Sequence, residues 1–131
     1  MSPRESPATA HELARVELLA GLPGELLTRL AARMRREGVA PGQAVVLEGE
    51  PGERFYVVLS GVLAVSQTSL GPRRLLRAGD SFGEVALALS IPRTASVRAL
   101  VPSALASCDR AAFDEFVRPL LADDGEAHSS E

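Results

Sequence analysis

The sequence has no tryptophan, no lysine and only one cysteine, Cys108. A single cysteine cannot form an internal disulfide, so the chain cannot be a disulfide-stabilised scaffold. Cys108 ends the run Ala-Leu-Ala-Ser-Cys, which predicts a buried structural thiol rather than a reactive one. All fourteen basic side chains are arginine, yet the net charge is −3. This balance argues against nucleic-acid binding by bulk electrostatics.

Long apolar runs are also missing. No stretch approaches the ~20 residues that a membrane-spanning helix needs, and the first ten residues contain Pro3 and Pro7 but no apolar core of a signal peptide. We therefore predict a cytoplasmic protein without membrane insertion. The chain has 131 residues, of which 46% are hydrophobic and 24% charged, as is typical of one soluble globular domain.

Two stretches near the N-terminus have helical spacing. We predict a first helix over His11 to Ala20, capped by Thr9, and a second over Glu25 to Arg36, which begins after Pro23. The arginines on the polar side of the second helix are expected to form a solvated face. The predicted apolar positions are Leu13, Val16, Leu19 and Ala20 in the first helix, and Leu26, Leu27, Leu30, Ala31 and Met34 in the second.

Short β-prone runs separated by turn residues follow Gly38. They fall near 44–47, 55–59, 62–65, 73–76, 94–100 and 104–108. This pattern indicates an antiparallel sandwich or barrel. Asp109 is placed to cap a last helix that begins near Arg110, with Phe113, Phe116 and Val117 on its apolar face. We expect one domain over 11–121, a loose N-terminus over 1–10 and a disordered acidic tail over 122–131.

The stretch from Phe82 to Val97 carries the candidate chemistry. Gly83 allows the backbone to approach a ligand closely, and the short apolar segment after it has helical composition, so its first N–H groups are free to face an anion. Arg93 offers a planar, permanently charged fork for phosphate. Glu84 can only accept hydrogen bonds when it is ionised, so it suits hydroxyl donors. Together these residues suggest a sugar-phosphate ligand.

Each of these two charged residues also has a plainer interpretation. Arg93 can form an ion pair with a nearby carboxylate such as Glu84 in an empty pocket, and Glu84 can be an ordinary surface carboxylate. The spacing of the whole stretch favours binding over these alternatives.

The Phe-Gly-Glu opening, the Pro-Arg-Thr-Ala ending and the distance between them resemble the phosphate-binding cassette of cyclic nucleotide-binding domains. That family includes the catabolite activator protein, protein kinase A regulatory subunits and cyclic nucleotide-gated channels. The resemblance implies a double-stranded β-helix, or jelly-roll-like β-roll, of eight strands with helices at both ends. The turn glycines of the family stand here at Gly42, Gly49, Gly61 and Gly79.

The resemblance also implies the ligand and its contacts. The ligand would be cAMP or cGMP, without a metal. Arg93 would pair with the exocyclic phosphate oxygens, Glu84 would accept from the ribose 2′-hydroxyl, and the N–H groups of Gly83, Val85 and Ala95 would complete the cradle. The full set of predicted ligand-binding residues is Phe82, Gly83, Glu84, Val85, Ala86, Arg93, Thr94, Ala95, Val65 and Arg73.

Three of these positions have competing interpretations. A threonine after the arginine occurs in channels and in cGMP-dependent kinases, so Thr94 points slightly toward tolerance of cGMP, but it suits a β-strand equally well. Val65 and Arg73 align with base-side positions in some relatives. Val65 fits the core equally well, and Arg73 fits an exposed position.

The sequence departs from the family after Val117. Relatives usually have a longer C-terminal helix that covers the base, whereas here only Leu120 and Leu121 are apolar candidates for a lid. We therefore expect a partly exposed base, or a cover supplied by another chain. The chain has no space for the helix-turn-helix of the activator branch and no visible catalytic or metal-ligand set, so we predict neither DNA binding nor enzymatic activity.

Three functional hypotheses follow. The first is a cyclic nucleotide sensor that signals to an unidentified effector through its C-terminal helix, with Phe113 and Phe116 as the moving contacts. The second is an interaction module of the same fold without nucleotide. The third is a terminal regulatory domain of a larger transporter or channel. A homodimer is left open.

Overall fold

The structure is a computed structural model and describes residues 8–121. Its helices are α1 (Ala10–Leu13), α2 (Gly24–Arg33), α3 (Glu84–Leu89) and α4 (Arg110–Ala112), with a 3₁₀ turn at Glu17–Leu19 and a π-helical turn at Phe113–Val117 directly after α4. Its strands are β1 (Arg35–Val39), β2 (Ala44–Val46), β3 (Arg54–Ser60), β4 (Val62–Gln67), β5 (Gly71–Arg77), β6 (Ser81–Phe82), β7 (Ser96–Ala99) and β8 (Ser103–Asp109).

The eight strands form two four-stranded sheets in which every neighbouring pair is antiparallel. The strand order is β1-β8-β3-β6 in the first sheet and β2-β7-β4-β5 in the second. The predicted fold class, a β-roll with helices at both ends, is therefore confirmed.

Strand β3 is buried on both faces, which explains its unbroken apolar sequence. Phe55 and Val57 face one cluster of buried side chains, and Tyr56 and Val58 face another, as the two-residue period of a strand requires. The first cluster joins the sheet to the helices. The second lies between the two sheets and includes Phe82. The candidate cassette is thus attached to both halves of the core.

The predicted first helix, His11 to Ala20, is wrong in its extent. Only α1 is α-helical, and a separate 3₁₀ turn follows it. The apolar positions Leu13, Val16 and Leu19 are buried as predicted, but Ala20 is exposed. The backbone of Val16 is extended, with φ −84° and ψ 122°, so the helix is interrupted between α1 and the 3₁₀ turn.

Part of the N-terminus that we expected to be loose is packed. Thr9 caps α1 through a capping box with Glu12, which satisfies N–H groups at the helix start. Ala8 is buried, and its N–H donates to the Met34 carbonyl at 3.3 Å. Residues 1–7 and 122–131, on which the rest of the disorder prediction falls, lie outside the described residues.

Helix α2 ends at Arg33, three residues earlier than predicted, because Arg36 belongs to β1 and pairs with Ala106 of β8. The expected solvated face is confirmed for Arg29 and Arg33, which are exposed, whereas Arg36 is half-buried. All three arginines also form ion pairs. Arg29 and Arg33 form ion pairs with Glu115 at 3.0 and 3.2 Å, and Arg36 forms one with Glu12. The two ion pairs with Glu115 connect α2 to the C-terminal helical segment.

The four predicted turn glycines all have positive φ, between 84° and 97°, a region that side chains other than glycine rarely occupy. Gly61 is the most constrained, because a Cβ atom there would lie 2.1 Å from Ser103 Oγ.

The last helical segment begins as predicted. The Asp109 side chain accepts from the Ala112 N–H at 2.9 Å, and Phe113, Phe116 and Val117 are buried. Cys108 is fully buried, and burial raises the pKa of its thiol to about 12, so it stays protonated at neutral pH. Within residues 8–121, no helix is long and apolar enough to cross a membrane.

Candidate functional site

A cleft of about 120 Å³ opens between α3, the segment after it and the second sheet. The lining residues are Val46, Val65, Arg74, Phe82, Gly83, Glu84, Val85, Ala86, Arg93, Thr94, Ala95 and Val97.

Arg93 is the most deeply placed charge of this cleft, with 7% of its surface exposed. Its Nη2 donates to the Arg54 carbonyl at 2.8 Å and its Nη1 to the Gly83 carbonyl at 3.4 Å. The guanidinium carbon lies 5.9 Å from the centre of the Tyr56 ring, close enough for a cation–π contact. Burial lowers the pKa of Arg93, partly opposed by Tyr56, Glu53 and Glu84.

The guanidinium has no ion-pair partner in the structure. Among residues 8–121, no carboxylate oxygen lies within 4.0 Å of its nitrogens, so the alternative of an Arg93–Glu84 ion pair is wrong for this structure. A buried cation without a counter-ion is costly. Two backbone carbonyls hold the guanidinium of Arg93 in place but do not neutralise its charge. Arg93 is therefore a candidate site for an anion.

Two glycines let the backbone close around Arg93. The 49–53 loop brackets its peptide group, since Gly49 N–H donates to the Arg93 carbonyl and the Arg93 N–H donates to the Glu50 carbonyl, both at 2.8 Å. A Cβ atom on Gly52 would lie 3.5 Å from the Arg93 guanidinium carbon, and one on Gly83 would lie 2.8 Å from Nη1. Any larger residue at Gly83 would also require its strained φ of 95°.

Glu84 is the first residue of α3 and is half-buried rather than a fully exposed surface group. Its Oε1 atom is enclosed and has no hydrogen-bond partner within the described part of the chain. A buried carboxylate oxygen without a donor loses hydration without compensation. Two residues that line the same cleft thus lack partners within the described residues: the carboxylate of Glu84 lacks a hydrogen-bond donor, and the guanidinium of Arg93 lacks an anion.

The structure brings together nine of the ten predicted site residues in this cleft. Their predicted contacts with a ligand remain predictions. Phe82 contributes to the cleft wall and stacks on Tyr56, with ring centres 4.9 Å apart and planes 6° from parallel. Val65 both lines the cleft and packs against the core between the sheets, so its two interpretations do not exclude each other. Thr94 is exposed at the rim.

Arg73 is the exception. It is exposed and does not line the cleft, whereas its neighbour Arg74 does. Side chains alternate along a strand, and Arg74 shares the face of Leu76, which is fully buried. Arg74 is opposite Val65 in the strand register. Arg74, and not Arg73, therefore lines the cleft, and the predicted contact of Arg73 with a base stays a prediction. Each of the two arginines is followed two positions later by a leucine, so the sequence alone does not distinguish them.

The last helical segment also contacts α3 in a way that the sequence did not reveal. Arg118 donates to the carbonyls of Leu87 and Ala88 at 3.0 and 3.1 Å, and Arg110 donates to the Leu87 carbonyl at 3.1 Å. These acceptors belong to the last turn of α3, where carbonyls lack partners within the helix. Cations there also interact favourably with the helix dipole.

The proposed lid residues do not cover the cleft. Leu120 and Leu121 are partly buried against the cluster that joins the helices to the first sheet, and they are not among the residues that line the cleft. In the described part of the chain, these two leucines therefore do not close the cleft.

The sequence of the chain is similar to those of known proteins. A sequence model of the cyclic nucleotide-binding domain matches residues 36–119. The chain is 35% identical over 106 residues to the cAMP-dependent protein kinase regulatory subunit of Candida albicans, which covers 81% of this chain and 23% of that protein. It is 36% identical over 110 residues to the corresponding subunit of Yarrowia lipolytica, covering 83% and 29%. The chain thus spans less than a third of either relative.

Solved structures show the same architecture. The regulatory domain of Toxoplasma gondii PKA with cAMP matches with a TM-score of 0.80 and 29% identity, covering 91% of this chain and 49% of that one. The regulatory subunit of a cAMP-independent protein kinase A from Trypanosoma brucei matches with a TM-score of 0.84 and 24% identity, covering 92% and 44%, a likeness of fold alone. From the residues that the family model matches, and from the relatives and the fold, we conclude that the chain belongs to the cyclic nucleotide-binding domain family.

Proposed function

We propose that this chain binds a cyclic nucleotide, cAMP or cGMP, as a regulatory domain and passes its occupancy to a partner protein. One observation carries the proposal. Among residues 8–121, the enclosed oxygen of Glu84 has no hydrogen-bond donor and the buried guanidinium of Arg93 has no carboxylate within 4.0 Å, and both residues line the same cleft. A ribose hydroxyl and a cyclic phosphate supply the two missing partners in one ligand.

The phosphate would be bound by Arg93. Its two terminal nitrogens are already held by backbone carbonyls, so little side-chain freedom is left to lose on binding. The phosphate is the counter-ion that the buried guanidinium lacks, and charge-assisted hydrogen bonds of this kind are the strongest that side chains form. Gly83, Val85 and Ala95 line the same cleft, and we expect their N–H groups to complete the phosphate cradle.

The ribose would be bound by Glu84. The carboxylate can accept a hydrogen bond from the 2′-hydroxyl, and this bond satisfies an oxygen that is otherwise buried without a partner. The base would then lie toward Val65, Thr94 and Arg74 on the second sheet. Since no described residue of the C-terminal segment lines this side, we expect the base to be partly exposed unless another chain covers it.

Calorimetry with cAMP, cGMP and 2′-deoxy-cAMP tests these assignments. Arg93→Ala should reduce affinity for all three nucleotides by about 100-fold or more, as expected when a buried charge-assisted contact is lost. Glu84→Ala should weaken cAMP but not 2′-deoxy-cAMP, because only the first ligand has the hydroxyl. Arg73→Ala, a neighbouring charge outside the cleft, serves as the matched control. No heat and no thermal shift at millimolar nucleotide would contradict the proposal.

The interaction-module hypothesis has one observation in its favour. The fold is shared with a regulatory subunit of a kinase described as cAMP-independent, so the fold does not by itself determine the ligand. The same calorimetry distinguishes the two hypotheses, because an interaction module would fold normally and show no heat with either nucleotide.

We further propose that the domain acts by binding and not by catalysis. The relatives that it matches are regulatory subunits of a kinase, and regulation of an effector such as a kinase catalytic subunit is the role they suggest. The identity of the effector, a cytoplasmic location, a homodimer and membership of a larger transporter or channel stay predictions. Co-purification with the effector from the native host would test the first of them.

A further inference from the structure

A chain of hydrogen bonds leads from Arg93 away from the cleft and across the first sheet. Arg93 Nη2 donates to the carbonyl of Arg54. The Arg54 side chain in turn donates twice to Ser107, from Nε to Oγ at 3.0 Å and from Nη2 to the carbonyl at 3.1 Å. The Ser107 hydroxyl donates to Glu37 Oε2 at 3.2 Å. Three strands, β3, β8 and β1, therefore contribute to the support of one guanidinium.

Arg54 is the first residue of β3 and directly follows the 49–53 loop that brackets Arg93. A strand end beside a loop is held by few ladder hydrogen bonds, so its carbonyl has local freedom unless something fixes it. The hydrogen bonds of the Arg54 side chain to Ser107, a fully buried residue in the centre of the sheet, fix the position of this carbonyl. The fork of a guanidinium restricts orientation more than a single bond does.

The position of this carbonyl matters to the cleft for a second reason. A Cβ atom on Gly83 would lie 2.9 Å from the Arg54 oxygen, so the same atom limits how closely the cassette backbone and the start of β3 approach each other. If the Arg54 carbonyl shifts, Arg93 loses its shortest hydrogen bond and Gly83 loses a close neighbour.

We propose that Arg54 is a positioning residue for Arg93: its side chain, anchored on Ser107 and Glu37, fixes its own carbonyl so that the Arg93 guanidinium is held in the orientation that a phosphate requires. Arg54 does not line the cleft and would not touch the nucleotide. The inference rests on the proposed function for its effect on affinity, but not for its effect on Arg93 itself.

A double-mutant cycle separates this role from a general structural one. Arg54→Met keeps the hydrocarbon stem and removes the fork, and should weaken cAMP about tenfold, a typical coupling of 1.4 kcal/mol. The Arg93→Lys variant has no guanidinium to be positioned at this site. In that background, Arg54→Met should reduce the affinity for cAMP by less than about twofold. Arg35→Met is the matched control, because Arg35 is an exposed arginine opposite Ser107 in the same sheet.

A second readout needs no ligand. The guanidinium NMR signals of Arg93 should shift and exchange faster with water in Arg54→Met, but not in Arg35→Met. Ser107→Ala removes one of the two acceptors and should produce a smaller shift in the same direction. If Arg54→Met does not fold, Ser107→Ala is the variant in which the Arg93 signals are measured.

The outcomes are distinct. Equal loss of cAMP affinity in the wild-type and Arg93→Lys backgrounds, or no loss at all, would overturn the positioning role. Absence of both cAMP and cGMP binding by the wild-type chain would contradict the proposed function. In that case the positioning role is tested by the NMR measurement alone, and unchanged guanidinium signals of Arg93 in Arg54→Met would overturn the inference.

Discussion

Gly52 and Ala86 are so close that a Cβ atom on Gly52 would lie 2.5 Å from the Cβ of Ala86. The contact joins the 49–53 loop to α3 at the point where both flank Arg93. Neither partner can yield easily, because Ala86 is buried and has no flexible side chain. The absence of one methyl group at Gly52 thus permits the cassette to close on its arginine.

Gly52→Ala should therefore destabilise the domain and disturb the site together. Overpacking of this kind costs about 1–3 kcal/mol, and the displaced loop should weaken cAMP as well. Urea denaturation and calorimetry measure the two effects. Gly21→Ala is the control, because no atom lies within 4 Å of a Cβ there, and its free energy of unfolding should stay within about 0.5 kcal/mol of wild type. Equal behaviour of the two variants would contradict the packing argument.

Arg74, rather than Arg73, should influence the choice of base. Arg74 lines the cleft opposite Val65, and a guanidinium pairs well with the O6 and N7 acceptors of guanine, whereas adenine presents a donor at position 6. Arg74→Ala should weaken cGMP by about 1–3 kcal/mol, as for other bidentate contacts to guanine, and cAMP much less. Competition between the two nucleotides measures the ratio. A similar change in Arg73→Ala would show that net charge, not contact, is responsible.

Glu12 should make stability depend on acid pH. Burial alone would raise the pKa of Glu12, but hydrogen bonds and charge from Arg36 and hydrogen bonds from Thr9 lower it below 4.5. A lowered folded-state pKa gives stability that is present above the unfolded-state pKa and lost as pH falls through the folded-state value.

Glu12→Gln should thus reduce the free energy of unfolding at pH 7 by about 1 kcal/mol, and the difference from wild type should shrink below pH 4.5. Urea denaturation at pH 7, 5 and 3 tests this dependence. Glu25→Gln, in the exposed first turn of α2, is the control and should change stability by less than about 0.5 kcal/mol. A constant difference at all three pH values would contradict the proposed role of the charge.

Arg118→Ala should loosen the last helical segment from α3. The side chain donates to two carbonyls of α3 and to Asp114, and it lies 5.5 Å from the centre of the Phe113 ring. We expect a loss of about 1–3 kcal/mol in stability and faster amide hydrogen exchange in residues 113–121. Arg98→Ala, which removes a single contact of 3.3 Å to the Gly42 carbonyl, should show neither effect. Unchanged exchange in Arg118→Ala would mean that the apolar contacts alone hold the segment.

The architecture was largely predictable because its signals are local. Turn glycines, caps and alternating strands act within a few residues, and the residues from Phe82 to Ala95 are contiguous, so their grouping followed from sequence spacing. Strand β6 was missed because two residues are too few to show a period.

Two errors arose where tertiary contacts overrode a local pattern. The helical pattern of α2 continues to Arg36, but pairing with β8 draws the chain from Arg35 onward into a strand. On β5, Arg73 is the extra residue at a register shift, because Val65 pairs with Arg74 and Ser66 with Pro72. This irregularity depends on the pairing of the two strands and is not visible in the sequence.

The supports of the site could not be predicted at all. Arg54 and Ser107 are 53 residues apart, and Arg118 and Leu87 are 31 residues apart. No spacing rule relates such pairs, and their contacts depend on the completed fold.

The shortness of α3 has a consequence for how the domain can respond. Six residues of helix span about 9 Å, less than two full turns, which leaves no room for a bend to absorb movement. Glu84 begins this rod and the Leu87 and Ala88 carbonyls lie near its end, under the arginines of the last segment. A shift of α3 as a whole must therefore either carry the last segment with it or lengthen the hydrogen bonds at its far end.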